Sequence, residues 1–360
     1  MGWFFRRPLW ESVPVSTVRL IVLIVRVFDM QQTVAVIGCG AMGTACATVL
    51  TASSQHNVRL WARNPDLARQ MSSSRENTRL LPGVTIAPSV QITSDPATAL
   101  SDADVVVVCI PTRGIRDAML YLGREVPSGA LVVSAVKGIE NQTLIRPSQM
   151  LQELLGERPI VALGGPCHAE EVARRMPASI VAACDDLSCA EVVQNLFSTD
   201  FLRVYANSDL IGVELAGALK NVIAIAAGIS DGLEYGDNAR AALLTRGLAE
   251  ITRFGVMLGA QPETFFGLAG VGDLAVTCGS RHSRNRAVGE MLGKGMTLLQ
   301  IEAGMNAVAE GVSTVRSVVD LAQKKQIDMP IAREVYGVLF EGVAPEVATQ
   351  RLMRRPLRAE

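Results

Sequence analysis

What this 360-residue chain lacks narrows its chemistry first. Charge nearly cancels: 34 Lys and Arg stand against 35 Asp and Glu, a formal net charge of -1, and only 19% of residues are charged. Such a chain has no broad field to steer it onto nucleic acid or a membrane surface, so any anion recognition must be local. Histidine is scarce, and His56, His168 and His282 show no ligand spacing with one another. The seven cysteines contain no Cys-x-x-Cys pair, which argues against a zinc site or a disulfide framework. No metal is expected, and reduced, buried thiols in a cytoplasmic protein are the simpler account. No apolar run near the N-terminus reaches the roughly 20 residues of a membrane span. Leu20-Ile-Val-Leu-Ile-Val25 is broken by Arg26, and no small-residue cleavage site follows it. Residues 1–29 therefore read as an extension outside the fold, with stable membrane insertion not expected. Repeats and low-complexity linkers are also missing. What remains is a globular chain, 49% hydrophobic and long enough for two domains.

The N-terminal half alternates strand-like and helix-like segments. Gln32-Thr-Val-Ala-Val-Ile37 is β-prone, and Gly38-Cys-Gly-Ala-Met-Gly43 and a helix-compatible stretch to Leu50 follow at once. Strand, Gly-x-Gly-x-x-Gly and helix in that order predict a dinucleotide site. Gly38 permits the turn, Gly40 lets backbone approach a pyrophosphate, and Gly43 allows close helix–strand packing. The helix N-terminus then offers free N–H groups to phosphate. A second strand, Asn57-Val-Arg-Leu-Trp-Ala62, ends at Arg63 where a strict NAD site has an acidic residue. An arginine there suits a 2′-phosphate and can stack on adenine, so NADP or NAD is expected; a plain surface arginine is the alternative. Further strands at 104–110, 130–135 and 160–163 deliver Lys137-Gly138 and Gly164-Gly-Pro-Cys-His168. In open α/β sheets ligands lie beyond the carboxyl ends of the strands, which places Lys137 and the loop 165–169 at the site.

From about Leu210, helical spacing and alanine-rich runs take over. Lys220 stands out within Gly212-Val-Glu-Leu-Ala-Gly-Ala-Leu-Lys-Asn-Val-Ile-Ala-Ile-Ala-Ala-Gly228, a segment otherwise almost wholly small or apolar. A lysine on a buried helix loses hydration, so its pKa falls and it can exchange protons near neutral pH. Glu214 and Asn221 share its surroundings in the sequence and are expected to cluster with it. A structural ion pair or a snorkelling lysine would leave the same pattern. Gly267 to Cys278, then Gly-Ser-Arg-His-Ser-Arg-Asn285, breaks the helical pattern and looks like an anion-binding loop around Asp273, Ser283, Arg284 and Asn285.

Taken together, these motifs resemble the bacterial NAD(P)-dependent glycerol-3-phosphate dehydrogenases over about residues 31–345. The resemblance rests on Gly38-x-Gly-x-x-Gly43, Val136-Lys-Gly-Ile-Glu140, Gly165-Pro-Cys-His-Ala169, Glu214-Leu-Ala-Gly-Ala-Leu-Lys-Asn221, Gly270-Val-Gly-Asp273, Ser283-Arg-Asn-Arg286 and Ala309-Glu-Gly311. It implies an α/β fold: a Rossmann-type dinucleotide-binding domain over 30–208, then an all-α substrate domain over 209–345, with 346–360 left as a basic tail. It also implies reversible reduction of dihydroxyacetone phosphate to sn-glycerol 3-phosphate for glycerophospholipid synthesis. Lys220 would be the catalytic acid/base. Lys137, Gly165, Cys167, Asp273, Ser283, Arg284 and Asn285 would contact the substrate. Gly38, Gly40, Ala41, Met42, Gly43, Arg63, Lys137, Ala169, Arg284, Val308 and Glu310 would hold the dinucleotide. Two departures are visible: Ala41-Met42 replace Ser-Trp or Ser-Phe-like residues, and Cys167-His168 replace a hydroxyl and an aromatic. A hydroxy-acid or imine reductase and a non-catalytic dinucleotide sensor are the alternatives. The expected partner is a small phosphorylated molecule, with no nucleic acid, and a homodimer is left open.

Overall fold

The computed structural model describes residues 31–52, 56–305, 309–357 and 359. The extension at 1–29 and Val308 lie outside them. Its N-terminal half is built on an eight-stranded sheet in the order β10-β9-β8-β7-β6-β1-β2-β5. The strands are β1 (Thr33–Ile37), β2 (Asn57–Trp61), β5 (Gln91–Thr93), β6 (Val105–Val108), β7 (Leu131–Ser134), β8 (Ile160–Gly164), β9 (Ala178–Ala183) and β10 (Leu202–Asn207). A separate hairpin joins β3 (Glu76–Asn77) to β4 (Leu81–Thr85). Neighbours in the large sheet run parallel, except β8 against β9.

The valine runs explain the centre of this sheet. A parallel strand covered by helices on both faces is apolar at every position, and all four valines of β6 are buried. Val34, Val36, Val105 and Val107 face one layer, with the helices Ala41–Leu50 and Leu187–Phe197. Ala35, Ile37, Val106 and Val108 face the other, with Ile115–Leu122 and Pro147–Leu155. The fold is thus a Rossmann-like α/β domain.

After β10 the chain becomes helical. Asp209 caps the 23-residue helix Leu210–Gly232 by accepting from Gly212 N at 2.8 Å, and also accepts from Gln261 N and Thr264 Oγ1. This is the one helix among the described residues long and apolar enough to cross a membrane, and 89% of its apolar window is buried inside the fold. It is the axis of the second core, around which Asp237–Met257, Asp273–Gly279, Arg284–Gly293 and Glu310–Lys325 pack. Its small residues permit a very close crossing with Arg284–Gly293. A Cβ on Gly228 would lie 1.9 Å from the Arg286 carbonyl, and one on Gly289 would lie 2.0 Å from that of Ile225. This fixes the N-terminus of Arg284–Gly293 beside the middle of the axial helix. Residues 346–360, read as a tail, are largely the helix Pro345–Met353, which packs on Pro330–Phe340.

Candidate active site

The glycine loop has the geometry a diphosphate needs. Gly38 leaves β1 at φ +107°, and a Cβ there would come within 2.8 Å of the Cys109 carbonyl. A Cβ on Gly43 would sit 1.8 Å from the Gly38 carbonyl, whereas one on Gly40 meets nothing within 4 Å. Two glycines are thus forced by packing, and the third faces open space. The helix beginning at Ala41 has no side-chain cap and no acidic residue in its first turn, so its N–H groups and positive dipole end are free for an anion. Asn77, unremarked in the sequence, holds this loop by donating to the Cys39 carbonyl at 2.9 Å and to Thr44 Oγ1 at 3.0 Å. Arg63 lies exposed just past β2, and the neighbouring Asp66 is exposed and paired with Arg69. Asp66, the first carboxylate after that strand, is thus already paired.

Three segments distant in sequence meet at one carboxylate. Lys137, delivered by β7, donates from Nζ to Asp273 Oδ2 at 2.8 Å and to the Gly165 carbonyl at 3.1 Å, and lies 3.4 Å from Cys167 Sγ. Lys220, from the axial helix, donates to Asp273 Oδ1 and to Thr277 Oγ1 at 2.7 Å. Side-chain exposure is 1% for Asp273, 8% for Lys220 and 16% for Lys137. Burial disfavours the Asp273 carboxylate, but the two ammoniums outweigh it and hold its pKa below the ordinary value. Burial likewise opposes charge on Lys137, yet Asp273 and Cys167 beside it leave its pKa raised. Lys220 is different: burial, helped by Lys137, overcomes Asp273 and pulls its pKa down to about 8. Two cations share one anion, and the deeper one surrenders its proton more readily.

Residues 33–190 match the model of the NAD-dependent glycerol-3-phosphate dehydrogenase N-terminus, and residues 209–350 match that of its C-terminus. The chain belongs to this dehydrogenase family. It is 48% identical over 331 residues to a glycerol-3-phosphate dehydrogenase (NAD(P)+) of Chlorobium phaeobacteroides, covering 91% of this chain and 98% of the relative. A protein of the same description from Lysinibacillus sphaericus is 47% identical, over 91% and 98% of the two chains. Among solved structures, the glycerol-3-phosphate dehydrogenase of Coxiella burnetii superposes with a TM-score of 0.87 at 33% identity, covering 91% of this chain and all of that one. A ketopantoate reductase from Ralstonia eutropha shares the fold, with a TM-score of 0.56 at 18% identity over 89% of this chain and 99% of its own.

The remaining expected residues of this family member fall around the cluster in different states. Ser283 caps Arg284–Gly293 by accepting from Arg286 N at 3.3 Å, which leaves the Arg284 and Asn285 amides at the open end of the helix. Arg284 is exposed. The Asn285 carboxamide is already engaged: Nδ2 donates to Asn221 Oδ1 at 2.9 Å, and Oδ1 accepts from Gly311 N at 3.0 Å. It clasps three helices, so its backbone N–H and second Nδ2 hydrogen are what it can offer an anion. Ala169 is buried in the first turn of the short helix after His168. The Glu310 carboxylate accepts from Thr112 N at 3.3 Å, across from the sheet to the helical half. Burial pushes its pKa up, against Thr112 and Arg284.

Three sequence expectations change. Glu214 does not join Lys220; its carboxylate accepts from Arg146, from Ser148 N at 2.8 Å and from Ser148 Oγ at 2.6 Å, tying the sheet domain to the axial helix. Asn221 serves Asn285 instead. The stretch from Gly267 to Cys278 is not a loop but a π-helical turn, Leu268–Gly272, running into the helix Asp273–Gly279. Thr277, absent from the sequence reading, is a partner of Lys220.

Proposed function

We infer that the cleft carries reversible hydride transfer between NAD(P)H and the C2 carbonyl of dihydroxyacetone phosphate, giving sn-glycerol 3-phosphate for glycerophospholipid synthesis. The observation that carries this reading is the buried Lys220–Asp273–Lys137 cluster beyond the carboxyl ends of β7 and β8, next to a glycine loop shaped for diphosphate. When bound, the reduced nicotinamide supplies the hydride. This chain's residues supply the rest. Lys220 gives its proton to the carbonyl oxygen as that oxygen gains charge, and takes it back in the oxidation direction. A pKa of about 8 suits both directions near neutral pH. Asp273 holds the ammonium in place, Thr277 fixes its second direction, and Lys137 remains charged beside them as an electrostatic stabiliser of the developing alkoxide. The Gly165 carbonyl and the Cys167 thiol line the same spot, and Sγ itself donates to that carbonyl at 3.1 Å. Arg284 and the open amides of its helix would take the phosphate, so that binding energy far from the reacting carbon positions C2. Arg63, the first turn at Ala41 and Met42, Ala169 and Glu310 would border the dinucleotide. The seven free thiols suit a cytoplasmic enzyme.

NADPH oxidation by the purified protein tests this reading with three ketones: dihydroxyacetone phosphate, unphosphorylated dihydroxyacetone and a 2-keto acid. Turnover dominated by the phosphorylated ketone is expected. Preference for the keto acid would move the site to hydroxy-acid chemistry on the same fold.

A further inference from the structure

His168 lies between the two halves of the cleft with an unfilled hydrogen-bonding capacity. It occupies the N-cap position of the helix Ala169–Ala173, yet its side chain does not cap that helix. Its Nε2 is buried and, among the described residues, has no hydrogen-bond partner. On one side follow Cys167 and the lysine cluster, close enough for the Lys220 and Lys137 ammoniums to act on the ring. On the other the ring packs against that of His282, centroid to centroid 6.1 Å and tilted by 54°. His282 directly precedes Ser283, the cap of the helix whose open end faces the proposed phosphate position. The imidazole thus stands between the lysine cluster and that helix cap, with one histidine contributed by each half of the chain.

A buried ring nitrogen without a partner is costly, and the usual escape, becoming charged and drawing in water, is closed here. Burial first, and the Lys220 ammonium second, lower the His168 pKa. Of the charged groups that act on the ring, the Lys220 and Lys137 ammoniums belong to the cleft cluster, while Glu171 and Glu170 stand on the short helix that follows it. The cleft side of this wall therefore suits an anion or an oxygen-rich end of one. We propose that His168 is a substrate-binding residue whose Nε2–H donates to a phosphate oxygen of the bound ketone, with His282 packed behind it. This rests on the phosphorylated-ketone reading above. Phosphate oxygens only accept, so the bound tautomer carries its proton on Nε2.

His168→Phe keeps the aromatic packing on His282 and removes the donor; His168→Gln restores a donor at the same reach. For each variant and the wild type, kcat and KM are measured with dihydroxyacetone phosphate and with unphosphorylated dihydroxyacetone, alongside the melting temperature of the free protein. His168→Phe is expected to raise KM for the phosphorylated ketone by about 10-fold or more, the usual effect of losing a hydrogen bond to a charged group. KM for the unphosphorylated ketone and the melting temperature should hold, and His168→Gln should recover most of the loss. Equal KM changes for both ketones, or no change, overturn the proposal. If His168→Phe melts early, His168→Gln decides: failure to retain phosphate selectivity in that folded variant also overturns it. A wild type that does not turn over dihydroxyacetone phosphate overturns the underlying reading as well, whereas an active wild type matched by His168→Phe overturns this proposal alone.

Discussion

Lys137 and Lys220 hold opposite oxygens of the single carboxylate of Asp273. This arrangement sets the proton chemistry of the cleft. One negative charge cannot neutralise two buried positive ones, so the excess is relieved at the lysine that is harder to solvate. That lysine is Lys220, which among the described residues has Thr277, on the helix Asp273–Gly279, as its further hydrogen-bond partner. Lys137 keeps its proton because, against its burial, Asp273 and Cys167 beside it favour the charged form.

A pH dependence of defined sign follows. Reduction needs Lys220 protonated, so kcat/KM for the ketone should be flat below about pH 8 and fall tenfold per pH unit above it. Oxidation of glycerol 3-phosphate needs the neutral amine, so its kcat/KM should rise toward about pH 8 and level off beyond it. Steady-state rates in both directions between about pH 6.5 and 9.5 check this, and parallel limbs in the two directions would contradict it.

Asp273→Asn should move the alkaline limb of the reduction to lower pH. Burial and Lys137 lower the Lys220 pKa while the carboxylate raises it, so removing that charge leaves the two lowering influences less opposed. Each unit by which Lys220 titrates earlier costs about tenfold in kcat/KM above the new pKa. A pH profile of the variant with the limb unmoved would show that Asp273 acts only as a scaffold.

Arg284→Ala should raise KM for dihydroxyacetone phosphate by about 10- to 100-fold, from the ~1.5–3 kcal/mol of a charged hydrogen bond. The change for unphosphorylated dihydroxyacetone should be far smaller. Comparing the two ketones separates phosphate recognition from a general loss of cofactor affinity.

Much of this architecture was visible in the residues themselves. A β-prone run, three spaced glycines and a helix are local features, and so is the row of valines in β6. Direction was not: a strand buried on both faces reads alike whether its neighbour is parallel or antiparallel, so the reversal of β9 against β8 left no trace. Lys220 was conspicuous as a charge in an apolar helix. Its partners were not, since Asp273 and Lys137 arrive from segments 53 and 83 residues away. Glu214 and Asn221 share a helix face, but seven residues are about 10 Å of helical rise, enough to serve separate networks. Thr277 could have been found: it lies four residues after Asp273, one turn along the same face. It was hidden because the glycines before it suggest a loop. Gly270 in fact permits close packing, since a Cβ there would fall 2.0 Å from the Phe265 carbonyl.

Arg63→Asp should change the ratio of kcat/KM for NADPH over NADH by about tenfold or more, corresponding to roughly 1.4 kcal/mol. The exposed guanidinium past β2 offers a 2′-phosphate a charge-assisted fork, and an aspartate opposes it. Solvent at the rim softens the repulsion. Kinetics with both cofactors at fixed ionic strength measure the ratio, and an unchanged value would remove Arg63 from cofactor discrimination.

Proton transfer in this cleft turns most directly on Lys220. Single-turnover reduction of dihydroxyacetone phosphate by a folded Lys220→Ala protein, with NADPH binding measured alongside, isolates its part. The rate of the chemical step should fall by about 10² to 10⁴-fold, the range for a positioned acid or base, while NADPH affinity holds, because Lys220 touches Asp273 and Thr277 and not the glycine loop. A folded variant that binds NADPH and turns over at a near wild-type rate would contradict the assignment.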